Sequence, residues 1–250
     1  MPTANSDGLG SAAAEISTII GLDNPALEVR AARVSAQGAA SSSEGDSLRA
    51  VLVEAAARRS GTATAAIVVP LVATPHQAAI TGIHEAIAAS GAIARVAEVF
   101  NTNALLAEAL HIRLADAGLA RADRVRMFSI TTSADGIIVA TVGGAEAVGS
   151  ASVTAVLLAA RLALPVVPAS LDVGPGIEEA AGRLQAMGVT RVAIAPCWIG
   201  PEADLGSVEA AAASIGAKCA APLGAHGNIV KLITQAYGQA LGQIEAAGEA

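Results

Sequence analysis

The sequence is poor in aromatic residues: its 250 positions hold two phenylalanines, one tryptophan and one tyrosine. Charged residues make up only 15 %, whereas apolar residues make up 53 %. A chain this apolar and this weakly charged is not a disordered tail. Because rings are so scarce, we expect a core of Ala, Val, Ile and Leu, whose small side chains let helices pack closely on a sheet.

Cysteine and basic residues are also scarce, which argues against further classes of protein. Cys197 and Cys219 do not form a C-x-x-C pair, so we expect neither a disulfide framework nor a thiolate zinc site. The chain has 15 Lys and Arg but 22 Asp and Glu, and this excess of negative charge argues against a nucleic-acid partner. The N-terminus lacks the pattern of a signal peptide, and prolines interrupt the longest uncharged stretch, 60–84. We therefore expect a cytoplasmic protein without a membrane span.

Short β-branched segments alternate with alanine-rich amphipathic segments along the chain. This alternation predicts parallel sheets covered by helices on both faces. The predicted strands are 27–34, 65–71, 93–99, 136–142, 166–169, 192–195 and 218–221. The predicted helices are 11–20, 47–58, 80–89, 104–117, 152–162, 177–187, 205–214 and 228–247, with an N-cap at Asp46 or Ser47 and C-terminal stops at Gly91, Gly118 and Gly188.

The two halves of the chain resemble each other. The segment 67–76 lies over 193–202, so that Pro70 falls on Pro196 and Pro75 on Pro201. Further along, the segment that starts at Phe100 lies over the one that starts at Leu223. The common order of these matches predicts a duplicated α/β domain, with lobes at 1–126 and 127–250.

Ligands of an open parallel sheet sit at the carboxyl ends of its strands. Three of the predicted strand-end loops carry His76, Glu202 and His226, and the internal match pairs His76 with Glu202. A fourth loop carries Gly143 and Gly144, whose backbone amides suit an anion. Ser150 stands where a phosphate-binding P-loop needs lysine, so carboxylates of a larger ligand are an equal possibility for this loop.

Several motifs resemble those of the class II chelatases, the sirohydrochlorin cobalto- and ferrochelatases, in their long two-domain form. Val69-Pro70-Leu71 followed by the segment 82–87 resembles the stretch after a strand of the first domain. Ala195-Pro196-Cys197-Trp198-Ile199 resembles its second-domain version, and Pro222-Leu223-Gly224-Ala225-His226 resembles a motif near the C-terminus. The match runs over most of the chain from about position 27 onward.

The resemblance implies two flavodoxin-like domains with a tetrapyrrole between them. It further implies a lyase that inserts Co²⁺ or Fe²⁺, as a substrate, into sirohydrochlorin or a related tetrapyrrole on the way to cobalamin or siroheme. No organic cofactor is inferred, and the expected oligomeric state is a monomer or a homodimer. Neutral imidazoles suit a borderline metal, and the displaced pyrrole protons require a base.

Both histidines that the family uses as metal ligands are replaced in this sequence. The first falls on Thr3-Ala4-Asn5, where most of the first strand is also missing, and the second falls on Ala78. His76 is the imidazole that remains on that loop. The alternative to an active chelatase is therefore a non-catalytic paralogue that binds a tetrapyrrole, a metal or a protein partner in the cleft between the lobes.

The candidate site residues follow from these two lines of reasoning. We predict catalytic roles for His76, Glu85 and Glu202, and a metal held by His76 and His226. Tetrapyrrole contacts are predicted for Gly143, Gly144, Trp198 and Gly224. Four of these residues have a structural alternative: His76 and His226 as ordinary loop histidines, Glu85 as a carboxylate at a helix start and Trp198 as a packed indole. His111, in the middle of a predicted helix, is expected to be structural.

Overall fold

The computed structural model describes residues 7–34, 47–58, 64–100, 103–121, 133–200 and 202–248, with side chains from Ala12 onward. The described helices are α1 Asp7–Asp23, α2 Leu48–Ala57, α3 Gln77–Ser90, α4 Ala104–Asp116, α5 Gly144–Leu162, α6 Ile177–Ala186, α7 Leu205–Ser214 and α8 Gly227–Ala247. The described strands are β1 Ala66–Val68, β2 Ala94–Val96, β3 Gly136–Thr141, β4 Val166–Ser170, β5 Val192–Pro196 and β6 Lys218–Cys219. The predicted α/β class is confirmed.

The second lobe is a parallel sheet with helices on both faces. Its strand order is β4-β3-β5-β6. All six residues of β3 are buried, and successive side chains of a strand point to opposite faces. Ile137 and Val139 accordingly enter one core cluster, with α4, α5 and α8, whereas Ile138 and Ala140 enter another, with α6 and α7.

The first lobe has a smaller described sheet, in which β1 pairs only with β2. The strand predicted at 27–34 is wrong: this segment forms no strand, and its one bridge joins Arg33 to Ser47. The segment 27–34 holds the same place in the order of elements as β4 of the second lobe, and β4 pairs with β3 alone. Because the described part of the first lobe has no counterpart of β3, the segment 27–34 has no strand with which to pair.

The order of elements repeats between the halves, as the sequence matches predict. The first half has the order α1, the segment 27–34, α2, β1, α3, β2 and α4. The second half has β3 and then the order α5, β4, α6, β5, α7, β6 and α8. Asn103 and His226, aligned by the sequence match, are the N-caps of α4 and α8. The residues predicted as a truncated first strand, 1–6, lie outside the described residues.

The terminal helices of the two halves pack across the lobes. α4 contacts α5, α8 and β5 of the second half, while α8 contacts α1 and β1 of the first. One core cluster consequently includes Ile16 of α1, Leu110 of α4 and Ile233 of α8. The predicted lobe boundary at 126 falls in the segment 122–132, outside the described residues, and stays a prediction.

Three helices begin at least three residues earlier than their side-chain patterns predict, and the first of them, α1, begins at Asp7 rather than at position 11. α3 begins at Gln77 rather than at position 80, and α5 begins at Gly144 rather than at 152. α5 is also long and apolar enough to cross a membrane, by length and composition only. It packs against β3, β4 and α4.

Candidate functional site

A cleft opens at the carboxyl end of β1. The cavity behind it has a volume of about 1590 Å³ and is lined by residues of both halves. Near the strand ends its wall includes Pro70, His76, Glu85, Gly200 and Glu202. Three residues predicted to be catalytic, His76, Glu85 and Glu202, therefore share one cleft.

His76 is held in place as the N-cap of α3. Its Nδ1 accepts a hydrogen bond from the backbone amide of Ala79 at 3.2 Å. Since Nδ1 accepts, the neutral ring carries its proton on Nε2. In this arrangement His76 offers the cleft an N–H donor, and ligating a metal through Nε2 requires that the cap be given up. The predicted metal-binding role of His76 stays a prediction.

Glu202 is the buried carboxylate of the cleft. Its Oε1 accepts from the amide of Ile199 at 3.2 Å, and its Oε2 is buried with no hydrogen-bond partner among the described residues. Burial raises the pKa of Glu202 to about 7. Burial and the charge of Glu202 together raise the pKa of the neighbouring Cys197 thiol to about 12. Glu202 can therefore exchange a proton near neutral pH, whereas Cys197 stays protonated.

Glu85 is exposed on α3, two turns inside the helix rather than at its start. The helix-start interpretation of this carboxylate is therefore corrected, because α3 begins at Gln77 and the favourable effect of the helix dipole is confined to the first turn. His84 is exposed on the same helix and does not line the cleft.

The loops that follow β1 and β5 line the cleft, whereas the loop that follows β3 approaches the loop after β1 without lining the cleft with Gly143 or Gly144. A Cβ on Gly143 would lie 3.0 Å from the carbonyl oxygen of Pro75, and Gly143 has a φ of 115°. Both the space and the backbone conformation therefore require glycine at this position. A Cβ on Gly200 would lie 3.3 Å from Oε2 of Glu202 and 3.8 Å from the carbonyl oxygen of Leu71. The halves are thus in close contact around the cleft.

The amides of Gly143 and Gly144 already have an anionic partner. The carboxylate of Asp172 accepts from Gly143 N at 3.1 Å and from Gly144 N at 3.3 Å. It also accepts from the amide of Val173 and the hydroxyl of Ser170. Burial would raise the pKa of Asp172, but the hydrogen bonds from Ser170, Gly143 and Val173 together lower it. A ligand carboxylate at this loop would have to displace Asp172.

His226 lies in the loop before α8 and does not line the cleft. Its Nδ1 accepts from the amide of Asn228 at 3.1 Å, so that it is the N-cap of α8. Burial, with the charge of Arg113, lowers its pKa. Arg113 donates to the carbonyl of Leu223 at 2.6 Å, and a Cβ on Gly224 would lie 3.7 Å from its guanidinium. Arg113 thus supports the loop that carries Gly224 and His226.

Trp198 is 1 % exposed and belongs to the core cluster between the second sheet, α6 and α7. Its indole therefore packs in the second lobe and does not line the cleft. Across the described ranges, no group of three His, Cys, Asp or Glu residues is placed to hold a metal ion. His76, Glu202 and His226 are not brought together as one metal site in this structure.

Two contributions to this region were not predicted from the sequence. Asp172 follows β4 and binds a loop that begins 29 positions earlier, and no local pattern encodes such a contact. His76 and His226 both act as N-caps, a place at which Ser, Thr, Asn and Asp are the usual residues. The signal that was available for all three is their position in a loop between a strand and the next helix. His111, expected to be structural, is buried with its Nε2 2.6 Å from the carbonyl of Arg121.

The fold and the cleft define a two-lobed parallel α/β protein with its polar groups at the strand ends between the lobes. No family model and no curated protein sequence matches the chain. Among solved structures, it is similar to SirB from Bacillus subtilis with Fe³⁺, with a TM-score of 0.67 and 13 % identity over 98 % of this chain and 94 % of that chain. It is also similar to the sirohydrochlorin chelatase SirB from Bacillus subtilis subspecies spizizenii in complex with cobalt, with a TM-score of 0.64 and 11 % identity over the same shares. The chain therefore has the class II chelatase fold.

Proposed function

We propose that this protein is a tetrapyrrole chelatase that inserts a divalent cation, Co²⁺ or Fe²⁺, into sirohydrochlorin or a closely related macrocycle. The fold supports this proposal, since it is shared with chelatases solved with iron and with cobalt. The observation that carries it is Glu202, a buried carboxylate with a pKa of about 7 in the cleft that also holds His76.

Glu202 is proposed as the proton acceptor. Insertion of a divalent cation breaks two pyrrole N–H bonds and forms metal–nitrogen bonds, which releases two protons. Glu202 takes one through Oε2, the oxygen that has no partner among the described residues, and solvent takes the other. A base is most effective when its pKa is close to the working pH, and burial gives this carboxylate such a pKa.

His76 is proposed to orient the macrocycle. With Nδ1 engaged by the amide of Ala79, Nε2–H can donate to a peripheral carboxylate of the tetrapyrrole. The cation then enters from solution and is held chiefly by the macrocycle nitrogens. This assignment leaves Glu85, which is exposed at the rim of the cleft, as a group that can attract the cation to the opening.

The test is the rate of Co²⁺ insertion into sirohydrochlorin, followed by absorbance, for the parent and Glu202→Gln proteins. Glutamine keeps the shape of the side chain but cannot accept the proton, so we expect the rate to fall by about tenfold or more. The parent rate should fall as pH drops through about 7, because Glu202 becomes protonated. An unchanged rate and pH profile in Glu202→Gln would remove Glu202 from the mechanism.

A second candidate function is tetrapyrrole binding without metal insertion. It is favoured by the histidines, since Nδ1 of His76 and of His226 both accept from backbone amides, and by the lack of a three-residue metal cluster in the described segments. A parent protein that binds sirohydrochlorin but leaves the uncatalysed insertion rate unchanged would establish this candidate over the first.

A further inference from the structure

The first turn of α8 is rich in hydrogen-bond donors. α8 is 21 residues long, and the N-terminus of a helix carries a partial positive charge. His226 caps this helix through Nδ1, which accepts from the amide of Asn228, so the proton of the neutral ring is on Nε2. The cap therefore adds a further donor to the positive end of the helix.

Asn228, the second residue of α8, is a polar residue in a buried place. Its side chain is part of a residue only 7 % exposed, and its Nδ2 has no hydrogen-bond partner among the described residues. Because helix side chains tilt toward the N-terminus, this amide lies over the first turn. The sequence match between the halves sets Asn228 on Leu105, an apolar residue. A buried donor that is left unpaired destabilises the fold, so Asn228 points to a ligand.

Asn228 lies on the side of α8 that packs against α4. Tyr237 lines the cleft and is nine residues, or about two and a half turns, further along the helix. The side chain of Asn228 therefore points away from the cleft. α8 contacts α4, α1 and β1, and residues of α1 and β1 line the cleft, so α4 is the helix beside Asn228.

Arg113 of α4 brings a positive charge to the turn before α8. It donates through Nη to the carbonyl of Leu223 at 2.6 Å, whereas its Nε is buried with no hydrogen-bond partner in the described ranges. The acidic residues around this turn are Glu108, which pairs with Arg161 at 3.6 Å, and Asp116, which is exposed. A guanidinium that is partly removed from water is stabilised by a bonded anion, and no described carboxylate supplies one.

We propose that Arg113, Asn228 and the first turn of α8 bind the carboxylate of a small organic acid. A carboxylate has two oxygens in one plane, one for Nε of Arg113 and one for Nδ2 of Asn228. A phosphate would bring more oxygens and more charge than these donors can pair in a buried place. Neither Arg113, Asn228 nor His226 lines the cleft, so the inference stands whether or not the protein inserts a metal.

The test is a titration of the ¹⁵N-labelled full chain with succinate at constant ionic strength. The Nε–H signal of Arg113 and the side-chain NH₂ signals of Asn228 should shift saturably, whereas inorganic phosphate should leave them in place. Absence of a saturable shift with succinate, or an equal response to phosphate, would overturn the inference.

Sirohydrochlorin, which also carries carboxylates, distinguishes the source of the ligand. We expect these signals to respond to succinate and not to sirohydrochlorin, because the donors lie outside the cleft. If sirohydrochlorin shifted them and succinate did not, the donors would belong to the binding of the macrocycle, and the proposal of a separate site would be wrong.

The matched variants are Asn228→Leu and Lys231→Gln. Leucine is the residue at the matched position of the first half, whereas Lys231 is an exposed cation one turn along α8. Asn228→Leu should keep the fold, seen as unchanged signals elsewhere, and weaken succinate binding by at least about tenfold, because one carboxylate oxygen loses its donor. Lys231→Gln should leave the binding unchanged. An equal loss in both variants would indicate general attraction to a positive surface and would overturn the inference.

Discussion

Histidine is an unusual helix cap, and at His76 the cap and the proposed contact with substrate use different ring atoms. Nδ1 holds the first turn of α3 through Ala79, and Nε2 is left for the cleft. Substitutions can separate the two roles, because asparagine also caps helices through its side-chain oxygen.

We expect His76→Asn to keep the stability of the parent, and His76→Ala to lose about 1 kcal/mol of unfolding free energy in a denaturant titration. Both variants should bind sirohydrochlorin more weakly, since both lack the Nε2 donor. The control is His84→Ala, which changes an exposed histidine of the same helix outside the cleft. If His76→Asn bound the tetrapyrrole as tightly as the parent does, His76 would be a cap alone.

Asp135 connects the starts of β3 and β5. The backbone amide of Arg191 and the hydroxyl and amide of Thr190 donate to its carboxylate. The hydrogen bond from the Arg191 amide, followed by those from Thr190, lowers the pKa of Asp135 to about 2. A lowered pKa stabilises the fold above the unfolded-state value, and this stabilisation is lost as pH falls through the folded-state value.

We therefore expect Asp135→Asn to lower the unfolding free energy by about 1 kcal/mol at neutral pH, since solvent weakens hydrogen bonds at this exposed site. The difference from the parent should shrink between about pH 4 and pH 2, where the parent carboxylate becomes protonated. Thermal unfolding across this range measures it. A difference that stays constant with pH would show that the charge of Asp135 does not contribute.

At the scale of elements, the start of α5 depends on a residue from another loop. Gly143 provides no side-chain cap, and Asp172 accepts from the amides of Gly143 and Gly144 instead. The side-chain pattern predicts a helix from 152, because the contact with Asp172 is distant in sequence and cannot be read from the residues around Gly144. Unpaired amides at a helix N-terminus bind anions, so the contact can be exchanged for an added anion.

We expect Asp172→Ala to lower the melting temperature by a few degrees, which corresponds to about 1 kcal/mol, because the amide of Gly143 loses its partner while that of Gly144 keeps the hydroxyl of Ser170 at 3.1 Å. Added phosphate should restore part of this loss, whereas it should not raise the melting temperature of the parent beyond the effect of chloride at equal ionic strength. If phosphate had the same effect on both proteins, the amides of Gly143 and Gly144 would not be an anion site that Asp172 fills.

The strands β3, β4 and β5 of the second sheet could be predicted because each is a short uncharged segment with β-branched residues. The segment 27–34 also contains valine but forms no strand, because a strand also needs a neighbour to pair with. The strand-end rule correctly brought His76 and Glu202 to one cleft. The burial of Trp198 and the orientation of His226 could not be predicted, since they depend on which way a side chain points from its loop.

At the scale of the whole molecule, the two halves form a common core through exchanged helices. α4 of the first half packs on β5, α5 and α8 of the second half, and α8 of the second half contacts β1 of the first. This packing fixes the loops after β1, β3 and β5 against one another, as the close approaches at Gly143 and Gly200 require. The cleft that contains Glu202 thus depends on both halves, although each half contributes its own strand ends.

The proposed chelatase activity requires that this cleft accelerate metal insertion. The rate of Co²⁺ insertion into sirohydrochlorin at pH 8, measured with the parent protein and without protein, tests this requirement. At this pH most of Glu202 is ionised, given its pKa of about 7. We expect a rate that is at least about tenfold above the uncatalysed rate and is proportional to protein concentration. A rate equal to that of the solution without protein would contradict it.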